Sequence, residues 1–217
     1  MFTGAVDNAY RAANTASGNK IDRGHINPSH INSFDTDYMT ATYTLSNAVP
    51  QFIGSNRGPW STFEARIANY AQVTCAGKPN GGTLYLLTGT SDYGLIPNPA
   101  GTAMVQDLPP YSFPLPHGFP GITNIAGGAY PLVTPRALWT AGCCVWQQPG
   151  AVFGYWWPSS EAESFAVMTN NQDNAALLHQ TRMRVDELEV LLTTPGTSRV
   201  SLFPGYRACR NNDATGI

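Results

Sequence analysis

The densest group of chemically reactive side chains in this 217-residue chain is Asp22-Arg23-Gly24-His25, which Pro28 follows closely. Histidine is suited to general-base catalysis at neutral pH because its unperturbed pKa is about 6.5. Arginine can bind an anionic oxygen through its planar donors, and glycine lets the backbone approach a ligand closely. The segment therefore predicts a site at which His25 accepts a proton and Arg23 contacts an anion.

Two further polar motifs follow this segment along the chain. A stretch reading Ser-Asn-x-x-Pro-Gln begins at Ser46, and a stretch reading Asn-x-Gly-x-Trp-x-x-x-Glu runs from Asn56 to Glu64. Together with Asp-Arg-Gly-His, they resemble the signature of the sugar-nonspecific DNA/RNA endonuclease family, the ββα-metal or His-Me finger nucleases. Residues 139–144, Trp-Thr-Ala-Gly-Cys-Cys, further resemble secreted endonuclease-domain-containing proteins of animals. The resemblance is strong over residues 20–70 and looser from 83 to 192.

The resemblance implies a role for each matching polar residue. His25 would deprotonate the attacking water, and Arg23 would steady the phosphate. Asn56 would be the direct protein ligand of a divalent ion, which is Mg²⁺ or, as alternatives, Mn²⁺ or another divalent ion. Glu64 would hold the water shell of the metal by hydrogen bonds, and Asn47 would position the loop around the histidine. Mg²⁺ keeps several waters in proteins, so one side-chain oxygen with phosphate oxygens can hold it.

The activity implied is metal-dependent hydrolysis of phosphodiester bonds in DNA, RNA or both, leaving a 5′ phosphate. Family members also carry a second phosphate-binding arginine on a strand well upstream of the histidine. Only 24 residues precede His25, so the N-terminal part of the family domain is expected to be short or missing. The nearest upstream arginine is Arg11, and Arg57 is expected to compensate as a second substrate contact.

The composition limits the classes of protein to consider. Charged residues make up 12% of the chain, about half the usual ~25%, and glycine and proline number 21 and 17. These values exclude a coiled coil, a disordered tail and a simple helical bundle. With a net charge of −2 and only two lysines, nucleic acid would be bound through a few arginines rather than a broad basic surface. No run of about 18 apolar residues predicts a membrane-spanning helix.

The coarse pattern predicts an α+β fold, with an antiparallel sheet core, a ββα-metal motif and long Pro/Gly-rich loops. We expect one nuclease domain over residues 1–217, with the core motif at 20–72. The predicted helices are at 6–13, from Pro59 to Tyr70, and at 184–192, the last with Asp186, Glu187 and Glu189 on its polar face. The predicted strands are a strand end that a turn follows within 20–28, a strand at 40–49, a hairpin at 75–89, and strands at 137–146, 151–157 and 164–168. Residues 91–131 are expected to form surface loops.

The four cysteines, Cys75, Cys143, Cys144 and Cys209, indicate a disulfide framework. A bond between adjacent cysteines is strained, so Cys143 and Cys144 are expected to take Cys75 and Cys209 as partners, in either pairing. Two disulfides favour a secreted or luminal location, although the first twenty residues show no signal peptide. A zinc site and four buried free thiols are the alternatives.

Two rival functions remain from the sequence alone. The chain could be a catalytically inactive extracellular binding protein on the same fold, with the loops at 91–131 contacting a protein or glycan. It could also be a structural extracellular module held together by its four cysteines. The presence of His25, Asn56 and Glu64 together weighs against the inactive protein, because such a protein would most readily lose these residues.

Overall fold

The computed structural model describes residues 4, 6–11, 21–91, 94–97, 103–106, 135–148, 151–152, 155–156, 159–193, 196–211, 213–214 and 217. The chain divides into two units, each with its own contacts. The first comprises Met1–Glu64, Thr90–Leu138 and Thr169–Thr181. The second comprises Ala65–Gly89, Trp139–Met168 and Arg182–Ile217.

The first unit contains a two-stranded antiparallel ribbon that carries the histidine. Strand β1 (Ile21–His25) pairs with β2 (Ala48–Phe52), and His25 lies opposite Ala48 at one end of the ribbon. A short helix, α1 (residues 6–11), precedes β1. The helix predicted at 6–13 is therefore confirmed over its described part, and the strand end predicted at 20–28 is confirmed as β1.

The segment between these two strands differs from the strand predicted over residues 40–49. It contains a helix, α2 (Thr36–Ala41), and β2 begins only at Ala48. The side chain of Asp35 accepts hydrogen bonds from two backbone N–H groups in the first turn of α2, at 2.8 and 3.2 Å. This cap satisfies donors that a helix otherwise leaves unpaired. After the helix, residues 42–47 form turns, in which the backbone N–H of Tyr43 donates to the carbonyl of Thr40 and the side chain of Asn47 donates to the carbonyl of Thr42.

A helical stretch begins immediately after β2. It comprises α3 (Ile53–Ser55), a wide π-type turn (Asn56–Trp60), α4 (Ser61–Asn69) and a second wide turn (Tyr70–Cys75). The backbone leaves helical geometry at Gly58, directly before a proline that cannot donate a backbone hydrogen bond. The helix predicted after this proline is confirmed, and its apolar positions are buried at Trp60, Phe63, Ile67 and Tyr70.

The other strands form one larger sheet and two small ribbons. They are β3 (Thr83–Ser91), β4 (Gly94–Pro97), β5 (Ala103–Gln106), β6 (Ala137–Gln148), β7 (Ala151–Val152), β8 (Tyr155–Trp156), β9 (Ser159–Asn170) and β10 (Gln180–Met183). The sheet has the strand order β10-β9-β6-β3. The pairs β4–β5 and β7–β8 are antiparallel ribbons. Helices and antiparallel strands together confirm the α+β class.

Several observed strands differ in extent or pairing from the predicted ones. The hairpin predicted at 75–89 is wrong, because Cys75 ends a helical stretch and β3 takes its partner, β6, from far along the chain. The strands predicted at 137–146 and 164–168 are confirmed and longer, as β6 and β9. The strand predicted at 151–157 is the short ribbon β7–β8. Within 91–131, the described segments form β4 and β5 rather than irregular loops, and most of the remainder lies outside the described residues.

Two disulfide bonds tie the second unit together. Cys75 is bonded to Cys144 and Cys143 to Cys209, with Cα–Cα distances of 5.8 and 5.5 Å. This is one of the two expected pairings, and the zinc-site and free-thiol alternatives are wrong. The bonds span 69 and 66 residues of sequence. Closing loops of this length in the unfolded chain corresponds to about 4 kcal/mol per bond in the chain-entropy account.

Helix α5 (Val185–Leu192) corrects one expectation about surface charge. Glu189 is fully buried, whereas the sequence pattern places it on the polar face. Its carboxylate accepts a hydrogen bond from Arg210 Nε at 2.9 Å and another from the backbone N–H of Leu202 at 3.0 Å. These partners lie outside the helix, 13 and 21 residues further along the chain, and compensate for the buried charge. In the part of the chain that the structure describes, no helix has the length and apolar character needed to cross a bilayer.

Candidate active site

His25 lies at the end of β1, where the backbone of the preceding residue is closely covered. A Cβ atom at Gly24 would clash with the buried side chain of Gln51 and would lie 2.9 Å from its Cβ atom, so a larger residue would displace Gln51. The imidazole of His25 meets the ring of Tyr43 edge-on, with the ring centroids 5.2 Å apart. Burial lowers the pKa of His25 below its ordinary value. The histidine is therefore neutral near pH 7, the state in which it can accept a proton.

Asn47 fastens the loop that leaves His25. Its side-chain oxygen accepts from the backbone N–H of Asn27 at 2.7 Å, and its amide nitrogen donates to the carbonyl of Asn27 at 2.9 Å. The same nitrogen donates to the carbonyl of Thr42, and the backbone carbonyl of Asn47 accepts from Ile26. One side chain thus closes both ends of the loop between β1 and β2.

Asn56 has a fixed orientation because Asp22 holds its amide. The Nδ2 atom of Asn56 donates to Asp22 Oδ2 at 3.0 Å, so the amide oxygen is directed away from this carboxylate. Arg57 donates to both oxygens of Asp22, from Nε at 2.8 Å and from Nη2 at 2.9 Å. Burial alone would raise the pKa of Asp22, but the hydrogen bonds from Arg57 and Asn56 and the charge of Arg57 lower it. Asp22 is therefore a stable anion that orients Asn56.

Glu64 lies in the first turn of α4 in a poorly solvated position. Burial raises the pKa of its carboxyl from 4.5 to about 7, against a smaller lowering by the indole of Trp60. The indole nitrogen of Trp60 is buried, and no hydrogen-bond partner for it is found among the described residues. Glu64 is thus partly protonated near neutral pH, and a nearby cation would favour its charged form.

Arg23 lies beside α1 rather than free in solution. Its guanidinium donates to Asp7, and it lies over the ring of Tyr10 at 5.1 Å from the ring centroid. Tyr10, Arg11 and Arg23, together with Ile21 and Asp22, line a cleft of about 280 Å³. Arg23 keeps 44% of its side chain exposed, so part of the guanidinium is accessible.

Three buried polar residues to which the sequence pattern assigned no role, Gln51, Ser55 and Asn171, hold β2 and α3 in place. Asn171 accepts from the backbone N–H of Phe52 at 2.8 Å and donates to the carbonyl of Pro50 at 3.0 Å. Gln51 donates to the hydroxyl of Ser55 at 3.2 Å. Asn171 lies more than a hundred residues from its partners, so no local pattern signals it. For Gln51, the sequence signal is its place at the end of the Ser-Asn-x-x-Pro-Gln motif.

The donor chemistry of the site fits a hydrated divalent ion. The described residues contain no cluster of three or more His, Cys, Asp or Glu side chains able to hold a metal ion. They do offer one oriented amide oxygen, on Asn56, and one carboxyl, on Glu64, whose ionisation a cation would favour. Mg²⁺ suits such a sparse set because it retains most of its waters. In the described part of the chain, no hydrogen bond joins His25, Asn56 and Glu64 directly.

Comparison with models of protein families identifies the family of the chain. Residues 2–119, more than half of the chain, match the family described as DNA/RNA non-specific endonuclease. The matched range includes the whole ribbon, Asn56 and Glu64. No curated protein was found to match the chain.

Proposed function

The chain belongs to the DNA/RNA non-specific endonuclease family, and from this premise we propose that it cleaves DNA, RNA or both by metal-dependent hydrolysis. The family implies a nuclease, and the site residues supply the details of the proposal. The reaction breaks the bond between phosphorus and the 3′ oxygen. It leaves a 5′ phosphate on one product and a 3′ hydroxyl on the other.

His25 is the proposed general base. It takes a proton from the water whose oxygen forms the new bond to phosphorus, and the 3′ oxygen leaves and is protonated. The neutral state that burial favours for His25 supports this role, as does its place at the end of a paired strand. A side chain positioned in this way contributes typically 10²–10⁴-fold to the rate.

Asn56 is the proposed direct protein ligand of Mg²⁺, with Mn²⁺ or another divalent ion as alternatives. Glu64 would accept hydrogen bonds from the waters of the bound ion. A bound divalent ion stabilises charge on the phosphate and on the leaving oxygen. The observation that carries the proposal is the Asp22–Asn56 hydrogen bond, because it fixes the amide so that its oxygen, and not its nitrogen, can face a cation.

Two arginines are the proposed phosphate contacts. Arg23 lies two residues before His25 on β1, and 44% of its side chain is exposed. Arg57 uses Nε and Nη2 on Asp22, and its side chain is 68% exposed, so Nη1 is the donor proposed for phosphate. Asn47 is the proposed positioning residue for the loop next to His25. The two disulfides are compatible with an oxidising compartment, and we place the protein in a secreted or luminal location.

The proposal is tested by incubating the purified protein with plasmid DNA and with RNA, in Mg²⁺ and in EDTA. We expect cleavage in Mg²⁺ only, with products that a ligase rejoins without prior kinase treatment because they carry 5′ phosphates. His25→Ala should lower the rate at least about 100-fold. The matched control His30→Ala, an exposed histidine five residues away, should cleave like the wild type. Cleavage in EDTA, or by His25→Ala at more than about a tenth of the wild-type rate, would contradict the proposal.

A further inference from the structure

Large aromatic side chains are exposed on the loop between β1 and β2. Phe34, Tyr38 and Tyr43 are 71%, 61% and 64% exposed. Phe34 and Tyr38 lie against each other with their ring centroids 5.4 Å apart. Tyr43 contacts His25 edge-on and leaves most of its surface to solvent. These rings therefore leave flat apolar faces accessible to a ligand on the loop that also contacts the candidate base.

The loop that carries these rings is internally braced. The hydrogen bonds of Asn47 close its base, and Asp35 caps α2. Asn32 donates to the side chain of Asn27 at 2.8 Å and to the carbonyl of Pro28 at 2.7 Å. The rings therefore project from a folded support, which lowers the entropic cost of binding a flat ligand.

The charge of the loop favours an uncharged base over a phosphate as the group that faces the rings. The sequence between His25 and Asn56 contains no lysine or arginine, and it contains two aspartates, Asp35 and Asp37. Phosphates would be repelled by this surface, whereas the uncharged faces of nucleobases would not. Every base has a π-face, and stacking on an aromatic side chain is worth about 1–3 kcal/mol per base without regard to sequence.

We propose that Tyr43 stacks on an unpaired base next to the cleaved phosphate, with Phe34 and Tyr38 as a second stacking position, and that the enzyme therefore prefers single-stranded DNA or RNA. This inference rests on the proposed nuclease function. The base and phosphate of one nucleotide are joined through a single sugar, so a phosphate at His25 brings a base within reach of Tyr43. In a duplex the bases are paired and stacked, and two phosphate backbones would approach Asp35 and Asp37.

The test compares kcat/KM on a single-stranded oligonucleotide and on its duplex for three tyrosine variants. Tyr43→Leu should lower kcat/KM on the single strand about 10-fold and change that on the duplex less than about 2-fold. Tyr43→Phe, which keeps the ring, should match the wild type. The control Tyr206→Leu removes a tyrosine that is 41% exposed in the second unit, and it should have no effect.

Two further experiments distinguish base stacking by Tyr43 from a role of Tyr43 in supporting His25. They also distinguish failure of the stacking proposal from failure of the nuclease proposal. An oligonucleotide that lacks the base beside the cleaved bond should be cut equally by wild type and Tyr43→Leu. In the His25→Ala background, Tyr43→Leu should weaken binding of single-stranded oligothymidine about 10-fold, which is measurable without cleavage. Equal loss on single strand and duplex, or no loss on either, would overturn the stacking surface. If the wild type cuts nothing but binds the single strand about 10-fold more tightly than Tyr43→Leu does, the nuclease proposal fails and the stacking surface is supported.

Discussion

Replacing Glu64 with glutamine should remove a pH dependence that the buried carboxyl imposes on the metal-free protein. Burial raises the pKa of Glu64 from 4.5 to about 7. The folded state therefore binds a proton more tightly than the unfolded state does. The stability this confers is full below about pH 4.5 and is lost as the pH rises through about 7. At about 1.4 kcal/mol for each tenfold change in proton affinity, the loss amounts to about 3 kcal/mol.

The assay is urea unfolding in EDTA at pH 4.5, 6 and 8, with the disulfides intact. The free energy of unfolding of the wild type should fall by about 3 kcal/mol relative to Glu64→Gln over this range. Taking the difference between the two proteins cancels the opposite contribution of His25, whose lowered pKa makes the fold less stable as the pH falls. Glu161→Gln, a change at an exposed carboxyl, is the control and should follow the wild type.

Adding Mg²⁺ should return most of the lost stability at pH 8 and little at pH 4.5, because a cation favours the charged carboxyl. Glu64→Gln should gain less from Mg²⁺ at pH 8 than the wild type does. The reasoning is refuted if wild type and Glu64→Gln show parallel pH profiles, since the carboxyl then ionises as it does in the unfolded chain.

Three other predictions concern the groups around this carboxyl and the covalent frame. Asp22→Ala should raise the Mg²⁺ concentration needed for half-maximal cleavage about 10-fold, because Asn56 loses the partner that orients its amide; an unchanged Mg²⁺ titration would remove Asp22 from that role. Arg57→Ala should lower the slope of log affinity against log salt by about one unit on duplex DNA, equally for different sequences; an unchanged slope would mean that Arg57 contacts no phosphate. Mass mapping without reduction should recover two disulfide-linked peptide pairs, one joining Cys75 to Cys144 and one joining Cys143 to Cys209. Free thiols, or the opposite pairing of the four cysteines, would contradict these bonds.

Local sequence predicted the elements whose determinants lie within the element itself. The apolar spacing after Pro59 correctly predicted a helix, and its buried positions follow that spacing. The strand predicted at 40–49 was wrong because the helix capped by Asp35 continues to Ala41 and residues 42–47 form hydrogen-bonded turns before β2 begins. Local side-chain and turn hydrogen bonds of this kind outweigh weak strand propensities.

Long-range partners were beyond the reach of the sequence. β3 pairs with β6 across an intervening segment of some fifty residues, so the turn chemistry after Cys75 wrongly predicted a local hairpin. Glu189 is acceptable in the interior only because Arg210 and a backbone N–H come to it from elsewhere in the chain. In the candidate site, the sequence motifs identified His25 and Asn56 as candidate residues. The hydrogen bond from Asn56 to Asp22, which orients the amide of Asn56, is known only from the structure.

The most direct test of the central claim is a Mg²⁺ titration of single-turnover cleavage for the wild type, Asn56→Ala and His25→Ala. If Asn56 holds the ion, its variant should need at least about 10-fold more Mg²⁺ to reach half of its maximal rate. If His25 is the base, its variant should keep the wild-type midpoint and lose at least about 100-fold in the maximal rate. Coincident midpoints for Asn56→Ala and wild type, or an unreduced maximal rate for His25→Ala, would contradict the assignment.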